Sequence, residues 1–187
     1  MRVMRHSVPH SRNVDNEQKE IEMSEKQYSV LVLCTGNSAR SILGEVLFNN
    51  LGKGKFKAYS AGSKPAGKVN PGALEWLQKQ GYSTEGLRSK SWDEFAAPSA
   101  PEFDFIFTVC DNAAGEACPL WLGHPATAHW GIPDPAHVEG DEARRAAFKK
   151  AAEQLARRIQ LFLSLPIDKL DKLVLKEKLA DIGRIKD

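Results

Sequence analysis

The stretch Cys34-Thr35-Gly36-Asn37-Ser38-Ala39-Arg40-Ser41 constrains this chain more than any other. Directly before it, Tyr28 to Cys34 is a β-branched and apolar run that reads as a buried strand. Directly after it, Ile42, Leu43, Val46, Leu47 and Leu51 recur at helical spacing. A strand therefore feeds a tight loop that opens a helix, with Gly36 for the turn. Backbone N–H groups of such a loop, together with the helix N-terminus, converge on a tetrahedral oxyanion. Arg40 adds a bidentate clamp on two of its oxygens. The same positive surroundings lower the Cys34 pKa and leave a thiolate beneath the anion, with Ser41 able to hydrogen-bond the sulfur. A strand-end cysteine alone is often only a small core hydrophobe. Strand, glycine, arginine and helix in this order favour nucleophilic attack on phosphate or a phosphate mimic.

The remaining punctuation predicts one α/β domain. Residues 1–27 are polar and without sustained periodicity, so they are expected to form a disordered extension, and Met23 is a candidate alternative start. Residues 57–61 read as a second strand ending at Gly62. Pro71 to Gln80 reads as a helix with Asn70 as N-cap and Gly81 as its stop. Phe103 to Val109 forms a third strand ending at Cys110, and Thr127 to Ile132 a fourth. Long crossovers between the strands imply a parallel sheet. The expected fold is a small doubly wound four-stranded parallel sheet, order 2-1-3-4, with helices on both faces. Asp141 to Leu163 gives a long helix. The segment 166–187 is amphipathic and expected to dock on the single domain 28–187, with a partner-binding or dimerising role as the alternative.

In a doubly wound sheet the ligand crevice lies outside the carboxyl ends of the strands, where strand order reverses. With order 2-1-3-4, the first and third strands flank that point, so Cys34 and Cys110 are expected at one crevice. The third cysteine, Cys118, ends a loop of small residues with Gly115 in its middle. A disulfide needs Cα atoms about 4.4–6.8 Å apart, whereas eight positions of intact helix separate them by about 12 Å. If residues 110–118 are helical when reduced, they must unwind before Cys110 and Cys118 can pair. His124 and His129 follow, but the spacing matches no common zinc pattern, so no metal site is expected. Asp134, fixed between Pro133 and Pro135 just past the fourth strand, suits an acid held over the crevice.

Composition narrows the partners. A formal charge of +2 argues against nucleic acid, and no apolar run reaches the length of a membrane span or of a secretory signal core. A cytoplasmic location, where thiols stay reduced, is expected.

The Cys34–Ser41 motif, the Tyr59 to Gly62 strand end, Cys110 with Cys118, and Asp134-Pro135 resemble the low-molecular-weight tyrosine phosphatase superfamily, and more closely its thiol-dependent arsenate reductase branch. The resemblance implies that Cys34 attacks arsenate held by residues 35–40, with Asp134 aiding water departure. Cys110 then attacks the Cys34 adduct, and Cys118 resolves the resulting disulfide. It implies an external reductant, thioredoxin in preference to glutaredoxin and glutathione, and phosphate or sulfate as substrate mimics. No tightly bound cofactor is expected; a potassium ion near Asn37 is implied for some members. Two departures stand out. Ala39 replaces a cysteine often found in the first motif, and the seven residues between Cys110 and Cys118 are one more than in thioredoxin-coupled members. The alternatives are a phosphatase using Cys34, Arg40 and Asp134, against which Ala136-His137-Val138 stands where aromatic residues would grip a phosphotyrosine, and a non-enzymatic thiol sensor.

Overall fold

The computed structural model describes residues 26–116, 119, 121 and 123–186. The expected extension therefore lies outside the described residues except for its last two positions, and Cys118 lies outside them as well.

Four strands, β1 (Tyr28–Cys34), β2 (Phe56–Gly62), β3 (Phe105–Thr108) and β4 (Ala126–His129), form one parallel sheet in the order β2-β1-β3-β4. This is the order expected from the sequence. The last two strands are shorter than their apolar runs. Past β4 the ladder continues only as single bonds, from Trp130 N–H to Thr108 O at 2.7 Å and Ile132 N–H to Val109 O at 3.2 Å, before Pro133 removes the next donor. The central strand β1 is buried almost throughout, which is why its sequence is continuously apolar rather than alternating.

The helices are α1 (Arg40–Leu51), α2 (Pro71–Lys79), α3 (Asp111–Gly115), α4 (Asp141–Leu163) and α5 (Lys172–Gly183). Two begin on side-chain oxygen caps. The Asn70 carboxamide accepts from Gly72 N–H at 2.8 Å, and the Asp171 carboxylate accepts from both Leu173 and Val174 N–H at 2.9 Å. Gly81 ends the α2 region with φ +79°, which is why the helix stops there. Among the described residues no helix is long and apolar enough to cross a membrane.

The two sheet faces are covered differently. On one, Val30, Val32, Phe105 and Phe107 pack against Leu43 and Leu47 of α1 and Leu155 and Ile159 of α4. Trp130 joins this layer and donates its indole N–H to Leu179 O of α5 at 2.9 Å, so α5 is pinned beside β4. The other face, with Leu31, Leu33, Ala61 and Ile106, is covered by Trp92 of a one-turn 3₁₀ helix (Trp92–Phe95), by Phe103, and by the partly buried Tyr59, Phe95 and Trp121. Aromatic bulk there does what long helices do opposite. Within the helical layer Phe162 is fully buried and meets Phe48, Phe56, Phe105, Phe107 and Trp130 edge-on. Phe162→Ala leaves a cavity at this junction and is expected to cost about 3–5 kcal/mol, read as a lower urea midpoint at unchanged m value.

Candidate active site

β1 delivers Cys34 and α1 starts at Arg40, so residues 35–39 form the loop at the carboxyl edge of the sheet. Three of its carbonyls are drawn outward. Lys64 N–H donates to Thr35 O at 3.0 Å, Ala66 N–H to Gly36 O at 2.9 Å, and Asn70 N–H to Ser38 O at 2.8 Å. A trans peptide sets its N–H opposite its C=O, so the N–H groups of Gly36, Asn37 and Ala39 turn inward. For Asn37 this is directly visible, its N–H lying 3.2 Å from the Cys34 sulfur. Asn37 holds a left-handed conformation, φ 42°, that asparagine tolerates better than most residues. Gly62 makes the loop fit against β2: a Cβ there would collide with the Thr35 carbonyl.

Cys34 is buried, and Ser41 Oγ lies 2.9 Å from its sulfur. The sequence leads to a thiol pKa lowered by positive surroundings; the structure gives the opposite direction. Burial pushes the Cys34 thiol up, hydrogen bonds from Ser41 and from Asn37 N–H pull it down without matching that effect, and the nearby Cys110 adds to the rise. With a raised value the thiolate fraction grows as pH rises. Alkylation of Cys34 is expected to keep climbing with pH past the ordinary thiol value of about 8.5. A rate already level at neutral pH would contradict this.

Cys110 follows β3 and caps the N-terminus of α3, buried, its sulfur accepting from Ala113 N–H at 3.4 Å. Across the crevice the same sulfur accepts from Thr35 N–H at 3.3 Å and lies 3.5 Å from Thr35 Oγ1. Cys110 thus borders the loop that Cys34 opens, in contact with Thr35, the residue after Cys34. The α3 helix runs for only five residues and ends at Gly115, so the eight-position helical span considered from sequence is interrupted before Cys118. Of α3, Asp111 is held by His129, whose Nε2 lies 2.9 Å from the carboxylate while its Nδ1 faces Thr108 Oγ1 at 2.9 Å.

Arg40 and Asp134 close the opposite side. The guanidinium donates from Nη2 to Asp134 Oδ2 at 2.9 Å and from Nη1 to Ile132 O at 3.1 Å. Asp134 Oδ1 accepts Ala136 N–H at 2.9 Å, and His137 Nδ1 lies 3.3 Å from Oδ2. Arg40, the expected clamp, and Asp134, the expected acid, are therefore ion-paired with each other.

Behind the loop lies a buried polar cluster that the motif does not reveal. Asn37 Nδ2 donates to Ser41 Oγ and Ser60 Oγ, both at 2.9 Å, and Asn37 Oδ1 accepts Lys90 N–H at 2.9 Å. Ser60 donates to the Glu45 carboxylate, and Lys90 Nζ lies 3.6 Å from the same oxygen. Glu45 has one sequence signal: it is an acid inside the apolar run Ile42 to Phe48. Lys90, in a polar segment, has none. A potassium ion near Asn37 would need these oxygens, yet Asn37 Oδ1 is committed to a backbone N–H and the Glu45 carboxylate already faces an ammonium. The residues do not fit the ion. Among the described residues no group of three or more His, Cys, Asp and Glu could hold a metal.

Known proteins place this arrangement in context. The profile for low molecular weight phosphotyrosine protein phosphatase matches residues 29–176. An arsenate reductase of Halalkalibacterium halodurans is 33% identical over 134 residues, 71% of this chain and 93% of that protein. The crystal structure of an arsenate reductase from Archaeoglobus fulgidus is 28% identical, with TM-score 0.54 over 70% of this chain and 98% of that one. A thioredoxin-dependent arsenate reductase of Corynebacterium glutamicum shares the fold at 21% identity, with TM-score 0.52 over 76% of this chain and 66% of that one.

Proposed function

The chain belongs to the low molecular weight phosphotyrosine protein phosphatase family, and we propose that within it this protein is an arsenate reductase driven by a thiol–disulfide relay. The observation that carries the reading is the second buried thiol at the anion loop, Cys110 at 3.3 Å from the N–H of Thr35, the residue that follows the nucleophile. Phosphate ester hydrolysis needs one nucleophilic thiol, whereas a disulfide relay needs a second within reach. The identity with arsenate reductases across most of the chain supports the same choice.

In the relay, arsenate sits on the inward N–H groups of Gly36, Asn37 and Ala39 and takes the Arg40 guanidinium from Asp134. The Cys34 thiolate attacks arsenic, and the departing hydroxide leaves as water with a proton from Asp134. The Cys110 thiolate then attacks the Cys34 sulfur. The new S–S bond forms as the S–As bond breaks, its electron pair reducing As(V) to As(III), and arsenite leaves. Cys118 attacks Cys110 in turn, which frees Cys34 and moves the disulfide to Cys110–Cys118. An external dithiol, thioredoxin in preference to glutaredoxin with glutathione, reduces that bond, a step that suits a reducing cytoplasm.

The test is NADPH consumption with arsenate, thioredoxin and thioredoxin reductase, beside hydrolysis of an aryl phosphate. Arsenate-dependent oxidation with stoichiometric arsenite is expected, with phosphate and sulfate competing. Brisk aryl phosphate hydrolysis without arsenate turnover would assign the site to a phosphatase instead.

A further inference from the structure

The polar cluster behind the loop is directional, and its direction can be read from one atom. A backbone N–H can only donate, so the Asn37 atom 2.9 Å from Lys90 N is the carboxamide oxygen. Nδ2 must then face Ser41 and Ser60 and give one hydrogen to each. Ser60, its oxygen occupied by that donor, has its own hydrogen for the Glu45 carboxylate. Ser41, likewise occupied, has its hydrogen for the Cys34 sulfur at 2.9 Å. A carboxylate at Glu45 is the acceptor that lets every member of the chain be satisfied. A donor at that position would instead leave the Ser60 hydrogen without its acceptor.

What holds the carboxylate there is Lys90, 8% exposed, with Nζ 3.6 Å from Glu45 and 3.3 Å from the Arg88 carbonyl. The other charged groups that face it, Arg88 and Glu94, are paired with each other at 2.6 Å. We propose that Lys90 is a positioning residue for the nucleophile: its ammonium anchors Glu45 as the acceptor end of a hydrogen-bond chain through Ser60, Asn37 and Ser41, and so directs the Ser41 hydroxyl onto Cys34. Lys90 thereby supplies from within the chain the positive charge that a bound monovalent cation would otherwise bring. Burial draws the Lys90 ammonium below the usual lysine range while Glu45 opposes the fall, so the buried ammonium depends on that partner.

The inference rests on Cys34 as nucleophile, not on the identity of the substrate, and its test needs no turnover. In the full chain, the rate at which iodoacetamide alkylates Cys34 is followed by peptide mass spectrometry across a pH series. Lys90→Met is expected to slow alkylation at neutral pH about tenfold and to raise the midpoint of the profile by about one unit. Lys90→Arg is expected to keep the wild-type profile, and the wild type to react equally in potassium and sodium chloride. Glu45→Gln is expected to repeat the Lys90→Met shift and stands in for it if that variant does not fold. A wild-type profile in folded Lys90→Met, or in Glu45→Gln, would reduce the pair to a structural ion pair and overturn the proposal. So would a wild-type rate that depends on potassium. Arsenate turnover in Cys34→Ser separately tests the nucleophile.

Discussion

Cys34→Ser is expected to abolish arsenate turnover, a loss of about 10⁴-fold or more. Two independent failures combine in that variant. The serine hydroxyl stays protonated at neutral pH and is a poor nucleophile, and an oxygen ester of arsenate offers Cys110 no sulfur to attack. The electron pair that reduces arsenic then has no path. The other two thiols separate the later steps. Cys110→Ser is expected to stop before any arsenite appears. Cys118→Ser should release about one arsenite per protein and then halt as a Cys34–Cys110 disulfide, two hydrogens lighter in an intact-mass measurement. The contact of Cys110 with Thr35 is what makes this trapped bond sterically reasonable. Steady cycling of Cys118→Ser at the wild-type rate would remove the relay.

Arg40→Lys is expected to lower kcat/KM for arsenate by about 10²–10³-fold while thermal stability stays near that of the wild type. The guanidinium works as a fork, with one arm on the Ile132 carbonyl at 3.1 Å and the other on Asp134 at 2.9 Å. Lysine keeps the charge but not two parallel donors, so it cannot be held by the carbonyl and still present a bidentate face to an oxyanion. It would also remove the 2.9 Å guanidinium contact that Asp134 makes in the wild type. A loss smaller than about fivefold would mean that the backbone N–H groups alone hold the anion.

Much of the fold and of the site is legible in the order of the residues. Tyr28 to Ser41 announces strand, loop and helix because each part follows a local rule: an apolar run, a glycine turn, then a stripe of period 3.6. Asn70 and Gly81 bound α2 by the same local chemistry, and strand order puts Cys34 and Cys110 at one crevice. The rest depends on residues far apart in the chain. Glu45, Ser60 and Lys90 converge behind Asn37 only after α1, β2 and the 88–91 segment have packed, and no spacing rule links them. The direction of the Cys34 shift depends on how completely the sulfur is buried, which a motif does not encode. The thinner cover on one face of the sheet escapes pattern reading as well. Trp92, Phe95, Phe103 and Trp121 lie in short or irregular segments, where aromatic bulk rather than periodicity provides the cover.

The outward bonds from the loop carbonyls to residues 64, 66 and 70 hold the cradle rigid from outside. A cradle of preset shape cannot tell two tetrahedral oxyanions of similar size and charge apart by adjusting to either. Choice between arsenate and phosphate must then fall to the chemistry after capture. A thiol can strip an electron pair from sulfur into arsenic, whereas the phosphorus analogue offers no accessible lower state and can only hydrolyse. Such a protein would live with phosphate as a constant, reversible occupant and earn its selectivity from the periodic table.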